Sequence, residues 1–168
     1  MDQSADLKTQ FLDGMSLAAA SVSVVATDGP AGRAGVTVSA MTSISADGPR
    51  PTMLACLNAS SRTLAKLLEN RTFSINVLTC DQQAVADVFS GRSEPPSGDK
   101  FSGVDTAAGV TGAPRLIGAL VSFDCRLVSA DKVGTHHICI GAVEAVVAAE
   151  DGTPLLYGMR QYLRPESA

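Results

Sequence analysis

A chain of 168 residues, 45% hydrophobic and 18% charged, holds enough apolar material for one full core and excludes a disordered polypeptide. Its 13 basic residues against 17 acidic ones leave a net charge of −4, which excludes the cationic surface that nucleic acid requires of a partner. No apolar run reaches the roughly 18 residues that cross a bilayer, and Met1 to Asp6 is too polar for a signal peptide, so no membrane contact and a cytoplasmic location are expected. Cys56, Cys80, Cys125 and Cys139 show neither a CxxC pair nor metal-ligand spacing. They read as reduced thiols, three of them inside apolar runs, with no metal site expected.

Leu7, Phe11, Leu12 and Met15 recur at helical spacing and predict an amphipathic helix over about residues 4–18 with one buried stripe. Residues 21–27 read as a strand, closed by a glycine- and proline-rich turn. The run 35–45 alternates strictly and predicts one strand, with Val36, Val38, Ala40 and Ile44 on one face and Thr37, Ser39, Met41 and Ser43 on the other. Residues 52–57 form a short apolar run that suits a buried strand. A helix follows over 62–70, with Leu64, Leu67 and Leu68 inward and Ser60 or Ser61 as N-cap. A strand over 73–78 leads to a second short helix, capped by Asp81 and striped by Val85, Val88 and Phe89.

From Gly91 to about Arg115 nothing periodic survives, and a connection of that length is either functional or disordered. Two strands are predicted over 119–128 and 135–149, then a turn at Gly152 to Pro154, an apolar Leu155 to Tyr157 and a polar tail. Residues 138–147 are apolar on both faces, whereas an antiparallel sheet usually keeps one face wet. A second copy of the chain is the simplest cover. Some six strands without regular βαβ alternation predict a mainly β fold, an antiparallel barrel of Greek-key type with peripheral helices. One domain over 1–168 is expected.

Three stretches carry chemistry. Asn58 to Thr63 opens a helix, where unpaired N–H groups, hydroxyls and Arg62 favour a phosphate; an ordinary N-cap with an exposed arginine would look the same. The hydroxyl row Thr37, Ser39, Ser43 offers a shelf for a flat heteroaromatic ring, or is simply a solvated strand face. His136 and His137 stand where a strand enters the sheet; neighbours on a strand point to opposite faces, so one of them at most serves a given site. Neither a hydrolase triad pattern nor HExxH nor GxGxxG is present.

The runs GRAGVTVSAMTSISAD, PTMLACLNASSRT, FSINVL, VFSG with DKF, GALVSFDCRL, VGTHHICIGAVEAV and PLLYGMRQY lie in one order across nearly the whole chain. Together they resemble the short-chain flavin reductases, the small components of two-component flavin monooxygenases. The resemblance implies a split β-barrel, a homodimer with flavin near the subunit interface, and NAD(P)H-dependent reduction of FMN or FAD, with NADH preferred over NADPH. Reduced flavin would then diffuse to an oxygenase partner. By the same resemblance, Thr37, Ser39, Ala40, Met41, Thr42 and Ser43 would lie against the isoalloxazine and ribityl chain. Asn58, Ser60, Ser61 and Arg62 would hold the flavin phosphate, and Ser90, Lys100 and Phe101 would close over the flavin or its adenylate end. His136, Arg160 and Tyr162 would meet the nicotinamide, with Tyr157 nearby; Thr135 stands where the family carries Asp in a Gly-Asp-His motif. No catalytic side chain is implied, because the hydride passes between two cofactors. Similar sequences include corrinoid reductases, and a flavin- or haem-binding module without turnover is the non-enzymatic alternative.

Overall fold

In the computed structural model, which describes residues 3–166, β-branched runs pair into antiparallel ladders and the leucine-striped segments become the helices. Helix α1 (Gln3–Ser16) leads to β1 (Ala20–Ser21), β2 (Ser23–Thr27), β3 (Ala34–Val38), β4 (Met41–Ser45) and β5 (Thr52–Asn58). After α2 (Arg62–Asn70) and β6 (Thr72–Val77) come a 3₁₀ turn (Cys80–Gln82) and α3 (Gln83–Ser90). A second 3₁₀ turn (Lys100–Gly103) precedes β7 (Thr106–Ala108), β8 (Pro114–Leu116), β9 (Val121–Val133), β10 (His136–Ala148), β11 (Leu156–Gly158) and β12 (Gln161–Leu163). Seven strands form one antiparallel sheet in the order β3-β2-β6-β9-β10-β5-β4, flanked by a β1-β11-β12 sheet and the β7–β8 hairpin. The fold is mainly β, as composition predicts.

Alternation along β2 sends Val25 into one core with Phe73, Ile75, Ala55, Leu57, Cys125 and Cys139, closed by Leu64 and Leu67 of α2. Its other face sends Val22, Val24 and Ala26 against Ala86 and Phe89 of α3, joined by Phe101 and Leu155. Phe89 and Phe101 meet edge to face at 4.9 Å, which ties the loop after α3 to the helix itself. Gly141 lies at a register shift in β10, where an added Cβ would stand 2.6 Å from the Phe73 ring.

Four expectations are corrected. The stripe of α1 is not buried: Leu7, Phe11, Leu12 and Met15 are all more than half exposed, because nothing in the same chain packs over them. The single strand over 35–45 is two strands on opposite edges of the sheet, broken at Ser39 and Ala40, so Ala40 and Ile44 face solvent instead of sharing the inward face of Val38. The stretch 91–115 is ordered by a 3₁₀ turn and a hairpin too short for periodicity to reveal. Asp81 does not cap the following helix: it lies inside the 3₁₀ turn that Thr79 opens, the Thr79 N–H donating to the Gln82 side-chain oxygen at 3.2 Å, and Gln82 is the N-cap residue of α3 without a side-chain cap bond. Along β10, Cys139, Gly141 and Val143 are buried, Ile138, Ile140 and Ala142 half-buried, and Val146 and Val147 exposed.

Candidate functional site

The tip of α2 is built by short polar side chains that turn the chain out of β5. The Asn58 side-chain oxygen accepts from the Ser60 N–H at 2.9 Å and its hydroxyl at 2.8 Å. Ser61 is the N-cap, its oxygen accepting from the Thr63 N–H at 3.2 Å. This tip is anchored to β10: Asn58 pairs with His136, and the Ala59 N–H donates to the Thr135 carbonyl at 2.8 Å. His136 is exposed beside it, its Nδ1 3.0 Å from the Thr135 hydroxyl.

A cleft of about 600 Å³ opens over this tip, between the start of β3, the first turn of α2 and the loop after α3. Arg33, Arg62, Lys66 and Lys100 all line it. Arg33 is bridged to Asp99 at 3.2 Å and stacked 4.4 Å over the Phe101 ring, while Lys66 donates to the Arg33 carbonyl at 3.2 Å. Lys100 donates to the Phe89 carbonyl at 2.8 Å. Burial, and then the positive charge of Arg62, push the Lys100 ammonium below its usual range. Among the described residues Arg62 has no ion-pair partner. Several cations with little neutralisation, set before a helix N-terminus, make an anion site.

The segment 39–43 continues this surface. The Ala40 carbonyl accepts from the Cys56 N–H at 2.9 Å, and Met41 pairs with Ala55, so the exposed ledge of Ser39, Ala40, Thr42 and Ser43 runs along β5 towards the tip. Thr37 is turned away from that ledge, because its hydroxyl donates to the Ala86 carbonyl of α3 at 2.8 Å. Phe101 lines the cleft with one edge and is otherwise core.

A smaller recess, about 170 Å³, lies on the other side of Ser39, lined by Thr37, Val38, Ser90, Arg92, Tyr157 and Tyr162. Ser90 caps its own helix by donating to the Asp87 carbonyl at 3.0 Å. Tyr162 donates to Asp87 at 2.8 Å; burial and then that bond raise its phenol to about 12. Arg160, in left-handed backbone, pairs with Asp13 of α1. The trio expected at the nicotinamide is therefore divided, with His136 at the α2 tip, Tyr162 in the recess and Arg160 holding α1. Arg33, Lys66, Asp87, Arg92 and Asp99 escaped the sequence reading, since their convergence is long-range and leaves no local spacing. Cys125 and Cys139 are buried thiols pushed up to about 12 and about 11, which keeps them protonated and inert.

Residues 15–165 match the model of the flavin reductase like domain. FMN reductase (NADH) RutF 2 of Methylorubrum extorquens (strain PA1) is 43% identical over 169 aligned residues, covering 99% of this chain and 96% of that protein. The NADH:FAD oxidoreductase SgcE6 of Streptomyces globisporus C-1027 superposes with a TM-score of 0.85 at 25% identity, over 95% of this chain and 94% of that one. The styrene monooxygenase flavin reductase of Pseudomonas putida S12 does so with a TM-score of 0.82 at 27% identity, over 95% and 99%.

Proposed function

The chain belongs to the flavin reductase-like family, and from that premise we infer that it is an NADH-dependent FMN reductase. One observation supports the reading from the site itself: the under-neutralised cations at the α2 tip adjoin an exposed polar ledge and His136. The donor set fits FMN. A cleft of about 600 Å³ lies within the usual range for small-molecule sites, and a phosphomonoester is the anion that a helix N-terminus with Arg62, Lys66 and Lys100 would hold. The relatives' names favour this reading over a corrinoid reductase and over a module without turnover.

When bound, FMN supplies the acceptor for the hydride of NADH. The protein's share is placement. Ser60, Ser61 and Arg62 take the phosphate, with the α2 N–H groups behind them. Ser39 to Ser43 present small side chains and backbone to a flat ring, close to the tip because Ala40 is bonded to Cys56. His136 stands at the same edge and orients the nicotinamide by donating or accepting at its carboxamide. No side chain forms a bond to either reactant, so orientation is the whole of the contribution.

The unit is proposed to be a homodimer that closes the split barrel. The exposed stripe of α1 and the exposed Val146 and Val147 of β10 support a second copy as their cover. Reduced flavin then passes by diffusion to an oxygenase component; the Pseudomonas putida relative is named as the flavin reductase of a styrene monooxygenase. Initial rates of NADH and NADPH against riboflavin, FMN and FAD test the activity. Turnover with NADH and FMN is expected; failure of NADH to bleach the flavin under anaerobic conditions overturns it.

A further inference from the structure

The two walls of the large cleft carry their cations in different states. On the α2 wall the Arg62 guanidinium has no ion-pair partner among the described residues, and the Lys100 ammonium lies near enough to feel its charge. On the wall made by the start of β3 and the loop after α3, Arg33 is already engaged. Its guanidinium is bridged to Asp99 at 3.2 Å and lies 4.4 Å over the Phe101 ring. Asp99 is fixed in turn. Its other carboxylate oxygen caps the 3₁₀ turn by accepting from the Phe101 N–H at 3.0 Å, and Phe101 is buried against Phe89. Lys66, one helical turn on from Arg62, donates to the Arg33 carbonyl at 3.2 Å and so ties the two walls together. Glu94, without an ion-pair partner among the described residues, adds a second carboxylate to the loop wall. A first phosphate therefore finds a free cation at the α2 tip, and a second one beyond it finds Arg33 neutralised.

We propose that Asp99 sets the choice of flavin: by holding Arg33 it leaves the cleft one phosphate position, which suits FMN, and denies a cation to the second phosphate of FAD. The inference rests on the flavin reductase reading and adds to it the residue that discriminates. Relatives are named for FMN and for FAD, so the shared fold leaves that choice to side chains. A phosphomonoester gathers about two negative charges on one phosphorus, which matches cations concentrated at a helix tip. The pyrophosphate of FAD spreads its charge over two phosphorus atoms and needs a second cation further along. Arg33 is placed to be that cation, and Asp99 occupies it.

Calorimetric titration of riboflavin, FMN and FAD into the full chain tests this without relying on turnover, in the wild type, in Asp99→Asn and in Asp99→Asn combined with Arg33→Gln. The wild type should bind riboflavin weakest and FMN more tightly than FAD. Asparagine keeps an acceptor for the Phe101 N–H, so the melting temperature of Asp99→Asn should hold. The ratio of FAD to FMN affinity should rise in that variant by about two- to fivefold, the span that a half-exposed ion pair supports. The double variant should return the ratio to its wild-type value, because the gain runs through Arg33. FAD bound by the wild type as tightly as FMN overturns the inference, as does a ratio that stays put in Asp99→Asn or that rises equally without Arg33. If the affinities follow this pattern but NADH reduces neither flavin, the proposed activity fails and the flavin choice stands. If none of the three flavins binds, the flavin reading and the inference fall together at the first titration.

Discussion

His136 and Asn58 face each other across the β5–β10 ladder, so the residue expected at the nicotinamide and the first residue of the phosphate-binding tip are cross-strand neighbours. That pairing puts the proposed contact for the reductant and the proposed anchor for the flavin on one ladder instead of on two loops. Replacing His136 by Ala should therefore raise the KM for NADH several-fold while the Kd for FMN changes little, since the Ala59–Thr135 bond holds the tip without the imidazole. Equal losses in both would remove His136 from the nicotinamide.

Arg62→Ala should weaken FMN binding by about 1–3 kcal/mol, the range for losing a hydrogen bond to a charged group. Arg62 is exposed and caps nothing, so melting temperature should hold, whereas Ser61→Ala should lose cap stability as well, about 1 kcal/mol. Fluorescence quenching of FMN alongside thermal melts separates the two effects.

Lys100 gives the site a pH dependence. Burial and the Arg62 charge lower its pKa, so its ammonium is lost at lower pH than an ordinary lysine's. Affinity for the FMN phosphate should fall as pH rises through that depressed value, and bound phosphate, by favouring the charged form, should move the fall to higher pH. Lys100→Met should flatten the alkaline limb of the FMN affinity profile; a limb of unchanged slope would assign it elsewhere.

Tyr162 titrates late because it is buried and bonded to Asp87. A phenol whose folded pKa is raised from 10.0 to about 12 contributes stability that is complete below pH 10 and lost as pH climbs towards 12. With two tyrosines and no tryptophan, alkaline difference spectra of the flavin-free protein read it directly. Asp87→Asn should lower the late transition; two unaltered transitions would dissociate Tyr162 from Asp87.

Gly141→Ala should destabilise by about 1–3 kcal/mol, as overpacking does, because its Cβ would lie 2.6 Å from Phe73 and 2.9 Å from the Cys125 Cβ. Phe11→Asp tests the exposed stripe of α1 instead: sedimentation velocity should show a weakened dimer with the fold retained. A dimer of unaltered strength would place the interface elsewhere.

Hydrophobic periodicity and cap chemistry made much of this molecule legible along the chain. The α2 boundaries, the Ser61 cap and the strand content are local properties, written in neighbouring residues, and so is the polar make-up of Asn58 to Arg62 on which the proposed phosphate site rests. The break at Ser39 and Ala40 was not, because alternation continues through it and only pairing sends β3 and β4 to opposite edges of the sheet. Nor could spacing bring Arg33, Lys66 and Lys100 together over one cleft, or Arg92, Tyr157 and Tyr162 around one recess. Local preference depends on a residue and its few neighbours in sequence; charge convergence depends on which distant strands share hydrogen bonds, and that is settled when the chain packs.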